Sequence, residues 1–524
     1  MGENSRRHCW ECLRRYVVCD STRPACNRCT ANGSLCPGYG NVKPTRLVWL
    51  APGKVKSRVR RRKGSPSGSA ETGELRHQGQ AAISGPLRGI AAGQGSRIQD
   101  AGFGHIPHFN VYTDADALFH AAEYYNACIY EDLHPIQELG DNSAIYRITP
   151  AIVREACTLP DCVRLGMICM TLSHRMNRTH GDPGQDQRAL AETFYTHRGS
   201  AIRSLREFLN HENHYCTDDV VIAGIATLLL VDLQQGASLN WRSHVEGAIR
   251  LVQLRGGFAA VANCNVLEPQ LVLLCFMAVI GNTTCPAADL SMTRSHLIAL
   301  DVIQKLYRTT LTPFQMCPAP LFAEIIRINH LRHRAVRYAS QGVGVPNELA
   351  QQAHETLSRV HAFSPAHWAS TKPRSHSDWA LMGAIYQVAV ALYGASALRS
   401  LSVLPATVAT VSPPFDAQLL QRLLTRAIEC QRIRHFTLWP LVVLGVQAAH
   451  KDCAEARDFV TAQLPVLARH GGTYAPLTAK GVLEKFWTTG ETHWDACFDR
   501  PYAFVMQIAV DTGPILSSAS RSAL

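Results

Sequence analysis

At 524 residues, with 46% apolar and 18% charged side chains, the chain has a globular composition and room for about two to four domains, which excludes a disordered protein. Its net charge of +11 is not spread evenly. Residues 1–63 hold 15 Lys and Arg against three acids, whereas residues 64–524 hold 37 basic and 38 acidic side chains, so the whole excess sits at the N-terminal end. Such a head is expected to bind polyphosphate with an affinity that falls steeply with salt.

The opening decapeptide MGENSRRHCW has no apolar run, so no secretory signal is expected, and Arg6 stands where a myristoylation pattern wants Ser or Thr. The apolar runs Val220–Val231 and Leu271–Gly281 are too short to cross a bilayer and read as buried helix. Ser522-Ala523-Leu524 lacks the basic middle residue of a peroxisomal tripeptide. The expectation is an intracellular chain with no membrane partner.

Six cysteines, Cys9, Cys12, Cys19, Cys26, Cys29 and Cys36, fall inside the basic head with the spacing C-x2-C-x6-C-x6-C-x2-C-x6-C. A C-x2-C pair brings two sulfurs of one tight turn to one metal, and more distant cysteines complete a tetrahedron. Two such pairs in a short segment without a secretory signal point to metal rather than disulfides. Soft sulfur also suits Cu(I), but a basic surround suits a polyanion and favours zinc. Six thiolates cannot give two zinc ions four private ligands each, though they can if two sulfurs bridge. The remaining twelve cysteines, scattered over 128–497, show no ligand rhythm and read as reduced buried thiols.

Cysteine for cysteine, this spacing resembles the fungal binuclear zinc-cluster (Zn2Cys6) transcription regulators. The resemblance implies two zinc ions bridged by Cys9 and Cys26, with Cys12 and Cys19 on one ion and Cys29 and Cys36 on the other. It also implies two halves, each a short helix and an extended segment, joined by a loop containing Pro24. The first helix of such a cluster presents one end to the major groove of double-stranded DNA. Where the family commonly has Arg-x-Arg-Lys-x-Lys-Cys, this chain has Leu13 to Cys19 reading LRRYVVC. Arg15 matches the second arginine, but Tyr16 replaces the lysine that reads guanine and Val18 replaces the last lysine, so the resemblance leaves the family preference for CGG triplets open for this chain. Arg14 and Arg15 can bind either phosphate or the guanine edge, and Tyr16 can donate one hydrogen bond without adding charge.

Arg6, Arg7, Lys43 and Lys54 are expected to hold phosphate, together with the basic run Lys56, Arg58, Arg60, Arg61, Arg62 and Lys63, which also reads as a nuclear-localisation signal. No sustained heptad follows the cluster. Trp49, Pro52, Gly53 and Lys54 resemble a Trp-x-x-Pro-Gly-Lys segment in one branch of the family. From Gly64 to Gly104, ten glycines in 41 residues mark a flexible linker, placed at 64–110.

Helical periodicity dominates from Asp114 onward. After the helix opening there, similar patterns recur at 189–209, 219–234, 241–254, 266–281, 294–308, 319–340, 376–398, 416–434 and 453–469. Residues 111–524 therefore read as a large all-α domain. Tyr124-Tyr125, the His244–Gly257 block, Asp378-Trp379 with Gly383 and Tyr386, and Trp439-Pro440-Leu441 resemble the helical regulatory domain of many fungal zinc-cluster proteins. Gly256 and Gly257 should end their helix in a left-handed cap, Gly247 should allow close helix contact, and His244 reads as a packed histidine rather than a ligand.

No catalytic constellation stands out. His211-Glu212-Asn213-His214 lacks HExxH spacing, and there is no GxSxG elbow or Walker loop. The expectation is thus not an enzyme but a nuclear, zinc-dependent, sequence-specific regulator of RNA polymerase II promoters controlling a metabolic pathway or gene cluster. The resemblance implies regulatory input to the body from a second copy as homodimer, a co-regulator or a small-molecule effector. Two rivals are a zinc-cluster protein that no longer reads bases and acts through protein partners, and an enzyme in the helical domain.

Overall fold

In a computed structural model the structure describes residues 9, 12, 19–31, 36, 114–140, 145–179, 185–210, 219–236, 241–261, 267–309, 316–405, 416–450 and 453–506. The chain divides into two compact units, Met1–Ala101 and Gly102–Leu524. The expected linker and basic run lie outside the described residues.

In the first unit, helix α1 (Asn27–Ala31) begins where Asp20 receives its free amide: the Asn27 N–H donates to Asp20 Oδ2 at 3.0 Å, and Thr22 Oγ1 donates to the same oxygen at 2.7 Å. These donors, Thr22 first, hold the Asp20 carboxyl below its usual range. The peptide between Arg23 and Pro24 is cis.

The second unit contains no strand among its described residues. Its helices are α2 (Asp114–Tyr124), α3 (Tyr130–Leu133), α4 (Pro150–Ala156), α5 (Asp161–Arg178), α6 (Gln185–Asn210), α7 (Asp219–Gln234), α8 (Trp241–Leu254), α9 (Phe258–Val261), α10 (Glu268–Thr283), α11 (Thr293–Ile298), α12 (Leu300–Thr309), α13 (Ala319–Ser340), α14 (Asn347–Ala362), α15 (Pro365–Ser370), α16 (His376–Ser400), α17 (Ala417–Glu429), α18 (Leu438–Gln447), α19 (Ala454–Gly471), α20 (Ala475–Thr489) and α21 (Trp494–Cys497). Single turns of π and 3-10 helix link several of them.

Two groups of helices share one core. In one, α5 packs on α2, α6, α7 and α19, and α7 packs on α8. In the other, α16 packs on α13, α14, α15, α17, α18 and α21. Helix α10 joins them, touching α7, α8, α12 and α13. Helices α7, α10, α16 and α18 are apolar around most of their circumference, which marks interior helices. Helix α16 is long and apolar enough to span a bilayer, yet 89% of its most apolar window is buried in protein, as befits a core helix.

Several boundaries differ from the sequence reading. The helix expected at 294–308 breaks at Ala299, which turns Ile298 outward (77% exposed) and Ile303, Leu306 and Tyr307 into the core. The helix expected at 416–434 stops at Glu429, since Cys430 is extended. Gly256 and Gly257 do adopt positive φ (94° and 86°), with the Gly257 amide donating back to the Val252 carbonyl at 2.9 Å. Gly247, by contrast, allows no close approach, because a Cβ there would meet nothing within 4 Å.

A buried cation fastens the C-terminal elements to this core. Arg332 of α13 is fully buried; its Nη1 donates to the Asn282 carbonyl (2.9 Å) and Tyr393 hydroxyl (3.1 Å), its Nη2 to the Cys285 carbonyl (2.9 Å) and Asp495 Oδ1 (2.6 Å). Trp494 beside that aspartate donates from Nε1 to the Thr283 carbonyl at 2.8 Å.

Candidate metal centre

The described core of the first unit consists of sulfur. Cys9, Cys12, Cys19, Cys26 and Cys29 are buried against one another, with Cys36 partly buried beside them. Their sulfurs form two groups, Cys9–Cys12–Cys19–Cys26 and Cys9–Cys26–Cys29–Cys36, each with all sulfurs within 4.8 Å of one another. Cys9 and Cys26 belong to both groups.

Local structure repeats between the halves. The Cys12 amide lies 3.4 Å from the Cys9 sulfur and the Cys29 amide 3.3 Å from the Cys26 sulfur. The Cys9 amide lies 3.5 Å from the Cys19 sulfur, and the Cys26 amide 3.4 Å from the Cys36 sulfur. In the second half this follows from the turn at α1, where the Cys26 carbonyl accepts from the Cys29 amide at 3.1 Å. Each C-x2-C pair thus folds its own amide toward its first sulfur, which favours negative charge there.

The sulfur separations fit a metal. Cys9–Cys26 and Cys12–Cys26 are 3.6 Å apart and Cys9–Cys29 is 3.7 Å, far beyond a disulfide bond of ~2.05 Å. Tetrahedral ligands at ~2.3 Å from zinc would stand about 3.8 Å apart. Without a cation, burial raises the Cys9, Cys12 and Cys29 thiols, and for Cys12 and Cys29 most neighbouring sulfurs add to it, pushing Cys12 up to about 12. Ionising such a cluster needs positive charge in its midst, and an all-sulfur donor set suits Zn2+ or Cu+.

Every residue expected to touch DNA (Arg6, Arg7, Arg14, Arg15, Tyr16, Lys43, Lys54, Lys56, Arg58, Arg60, Arg61, Arg62 and Lys63) lies outside the described residues. In the second unit, the stretches that resembled a regulatory domain contribute core residues, among them Val245, Ala248, Ile249, Trp379, Tyr386 and Trp439, although Leu254 in the His244–Gly257 block is exposed. Tyr386 stacks on Trp439 at 5.9 Å, Trp379 Nε1 donates to the Leu139 carbonyl, and His244 Nε2 sits 3.3 Å from Asp232, which Arg198 also holds. Residues 120–505 match the fungal specific transcription factor domain. The chain belongs to that family.

This member of the fungal transcription factor family is 43% identical over 514 residues to the phomenoic acid biosynthesis cluster-specific transcriptional regulator of Leptosphaeria maculans, covering 97% of this chain and 91% of that protein. No solved structure matches it. The family match accounts for the helical unit and makes the chain a transcription regulator.

Sequence reasoning did not find the Arg332 network, nor two small cavities of the helical unit. One, about 50 Å³, is lined by Leu233, Trp241, Tyr502 and Phe504 among others, and one of about 20 Å³ by Tyr386, His435, Trp439 and Met506 among others. Both hold water-sized volumes, well below the ~300 Å³ of an ordinary ligand pocket.

Proposed function

We propose that the protein is a zinc-dependent, sequence-specific DNA-binding regulator of RNA polymerase II promoters that acts in the nucleus on a biosynthetic gene cluster. The observation that carries this reading is the pair of four-sulfur groups sharing Cys9 and Cys26 inside the segment that holds all the excess positive charge. Two zinc ions fit those groups, bridged by Cys9 and Cys26, with Cys12 and Cys19 completing one set and Cys29 and Cys36 the other. Bound zinc supplies the folding energy of the head and offsets thiolate charge. Counted with six thiolates, two ions leave the head at about +10.

The roles of the surrounding side chains follow from their chemistry. Arg6, Arg7, Lys43, Lys54 and the 56–63 run set phosphate affinity and its salt dependence. Arg14, Arg15 and Tyr16, in the first half of the cluster, face base edges in the major groove. The relative from Leptosphaeria maculans bears the name of a biosynthesis cluster regulator, and near full-length similarity supports a cluster as the target here. Co-regulators or an effector would act through the helical domain.

Selection of sites from random duplex DNA by the full chain, with zinc and with chelator, tests the reading. A defined motif that disappears with chelator is the expected outcome. Enrichment of no motif by a zinc-loaded protein would favour the rival in which partners recruit the regulator. Tyr16→Lys should then restore base reading.

A further inference from the structure

Helix α6 spans 26 residues and carries its packed face on Phe194, Ala201 and Leu205, all buried. Its solvent side holds a second row. Arg188, Glu192, Tyr195, Gly199, Ile202, Arg206 and Leu209 follow one another at alternating steps of four and three, and all seven are exposed. Tyr195 is 62% exposed, Ile202 40% and Leu209 42%, unusual values for large apolar side chains. At the middle of the row, a Cβ added to Gly199 would meet nothing within 4 Å.

A four-three row is the seam along which two helices pack. This one is self-complementary about its centre. Turned end for end on Gly199, the inner five positions place Tyr195 against Ile202 and Glu192 against Arg206, apolar on apolar and acid on base, while the outermost positions set Arg188 against Leu209. A contact in which residue i meets j while j meets i is the isologous geometry of a two-fold dimer. Glycine at the crossing point lets two backbones approach closely.

We propose that α6 is a homodimer surface, on which a second copy of this chain packs antiparallel about a two-fold axis through Gly199. The proposal rests on the helical domain alone and holds whether or not the head reads bases.

The test uses the full chain. Sedimentation equilibrium at micromolar concentration should show a dimer. Glu192→Arg, which sets like charges together at both symmetry-related contacts, should raise the dimer dissociation constant at least about tenfold. Adding Arg206→Glu in the same chain should restore it. Gly199→Cys should cross-link to its own copy with a short bismaleimide, whereas Glu192→Cys should cross-link only to Arg206→Cys on the other copy. Unchanged circular dichroism of these surface variants separates a lost contact from a lost fold. A monomer at tens of micromolar, or a dimer indifferent to Glu192→Arg, overturns the proposal.

Discussion

The two described regions are held together by different physics. Among the described residues from Cys9 to Cys36 the buried side chains are cysteines, packed against one another. The helical unit buries a large apolar cluster running from Ala117 to Val505 and a small second one at Cys169, Phe194 and Val231. Six sulfurs remove little apolar area from water, so under the proposed zinc reading the bound metal supplies the stability of this region. Among its described residues the helical unit brings together no group of metal-ligating side chains, and its stability scales with buried area and with the quality of its buried polar contacts. Tools that act on one region should therefore leave the other untouched.

Removing metal should give the largest separation. Structural zinc contributes about 10–16 kcal/mol to folding in comparable small sites. Chelation, or Cys26→Ser at the shared sulfur, should unfold residues 9–36 and abolish DNA binding. The thermal midpoint of the helical domain should move by no more than about 1 °C. Metal content by mass spectrometry and limited proteolysis of the full chain read the two regions separately. A joint collapse of both would mean that the domains stabilise each other and would break the comparison.

The reverse experiment targets Arg332. Replacing it by Met leaves the Asp495 carboxylate half-buried without its cation, together with three oxygen acceptors that Arg332 served. Breaking a buried ion pair from one side costs about 3–5 kcal/mol. Urea unfolding of the full chain should show that loss, while zinc content stays at the unmutated level. Adding Asp495→Asn should recover part of it. Equal stability in both variants would show that the pair makes no net contribution.

The same contrast explains what could be read from the sequence. The six cysteines of the candidate metal centre lie within 28 residues, so their spacing could be matched to the zinc-cluster family, and that resemblance, not the spacing alone, implied the sharing of Cys9 and Cys26 seen in the two sulfur groups. Long amphipathic helices such as α8 and α13 were legible from their period. Helix α5, with Cys162, Val163, Leu165, Ile168 and Cys169 buried on several faces, lacks a clean stripe and escaped notice. Helix α20 escaped too; it opens on Ala475-Pro476 and alternates apolar with small residues. Arg332 sits in the run LRHRAVR, which reads as a solvated face. Its aspartate partner is 163 positions away, and no local pattern announces a pair closed by tertiary packing. The outer row of α6 became visible only once the inner face was known to be satisfied.

The smallest effect is a proton count. His174, His296 and His435 are buried, and burial is the first cause that pushes their pKa values down, to about 3, about 4 and about 3. For His174 the Arg178 charge adds to this, and for His435 the Arg434 charge does. In the unfolded chain a histidine titrates near ~6.5. As pH falls through that value the unfolded state takes up protons that the folded state refuses. The stability from neutral burial is thus fully present above about pH 7 and is lost as pH falls toward the folded values. Between pH 7 and 5.5 each histidine should remove about 1 kcal/mol. His296→Leu should reduce the pH slope of the urea midpoint by close to one proton, because desolvation alone depresses that side chain. Chelator present across the same pH range should leave the slope unchanged, since these three histidines belong to the helical unit. A slope insensitive to His296→Leu would mean that this ring takes up its proton without unfolding the domain.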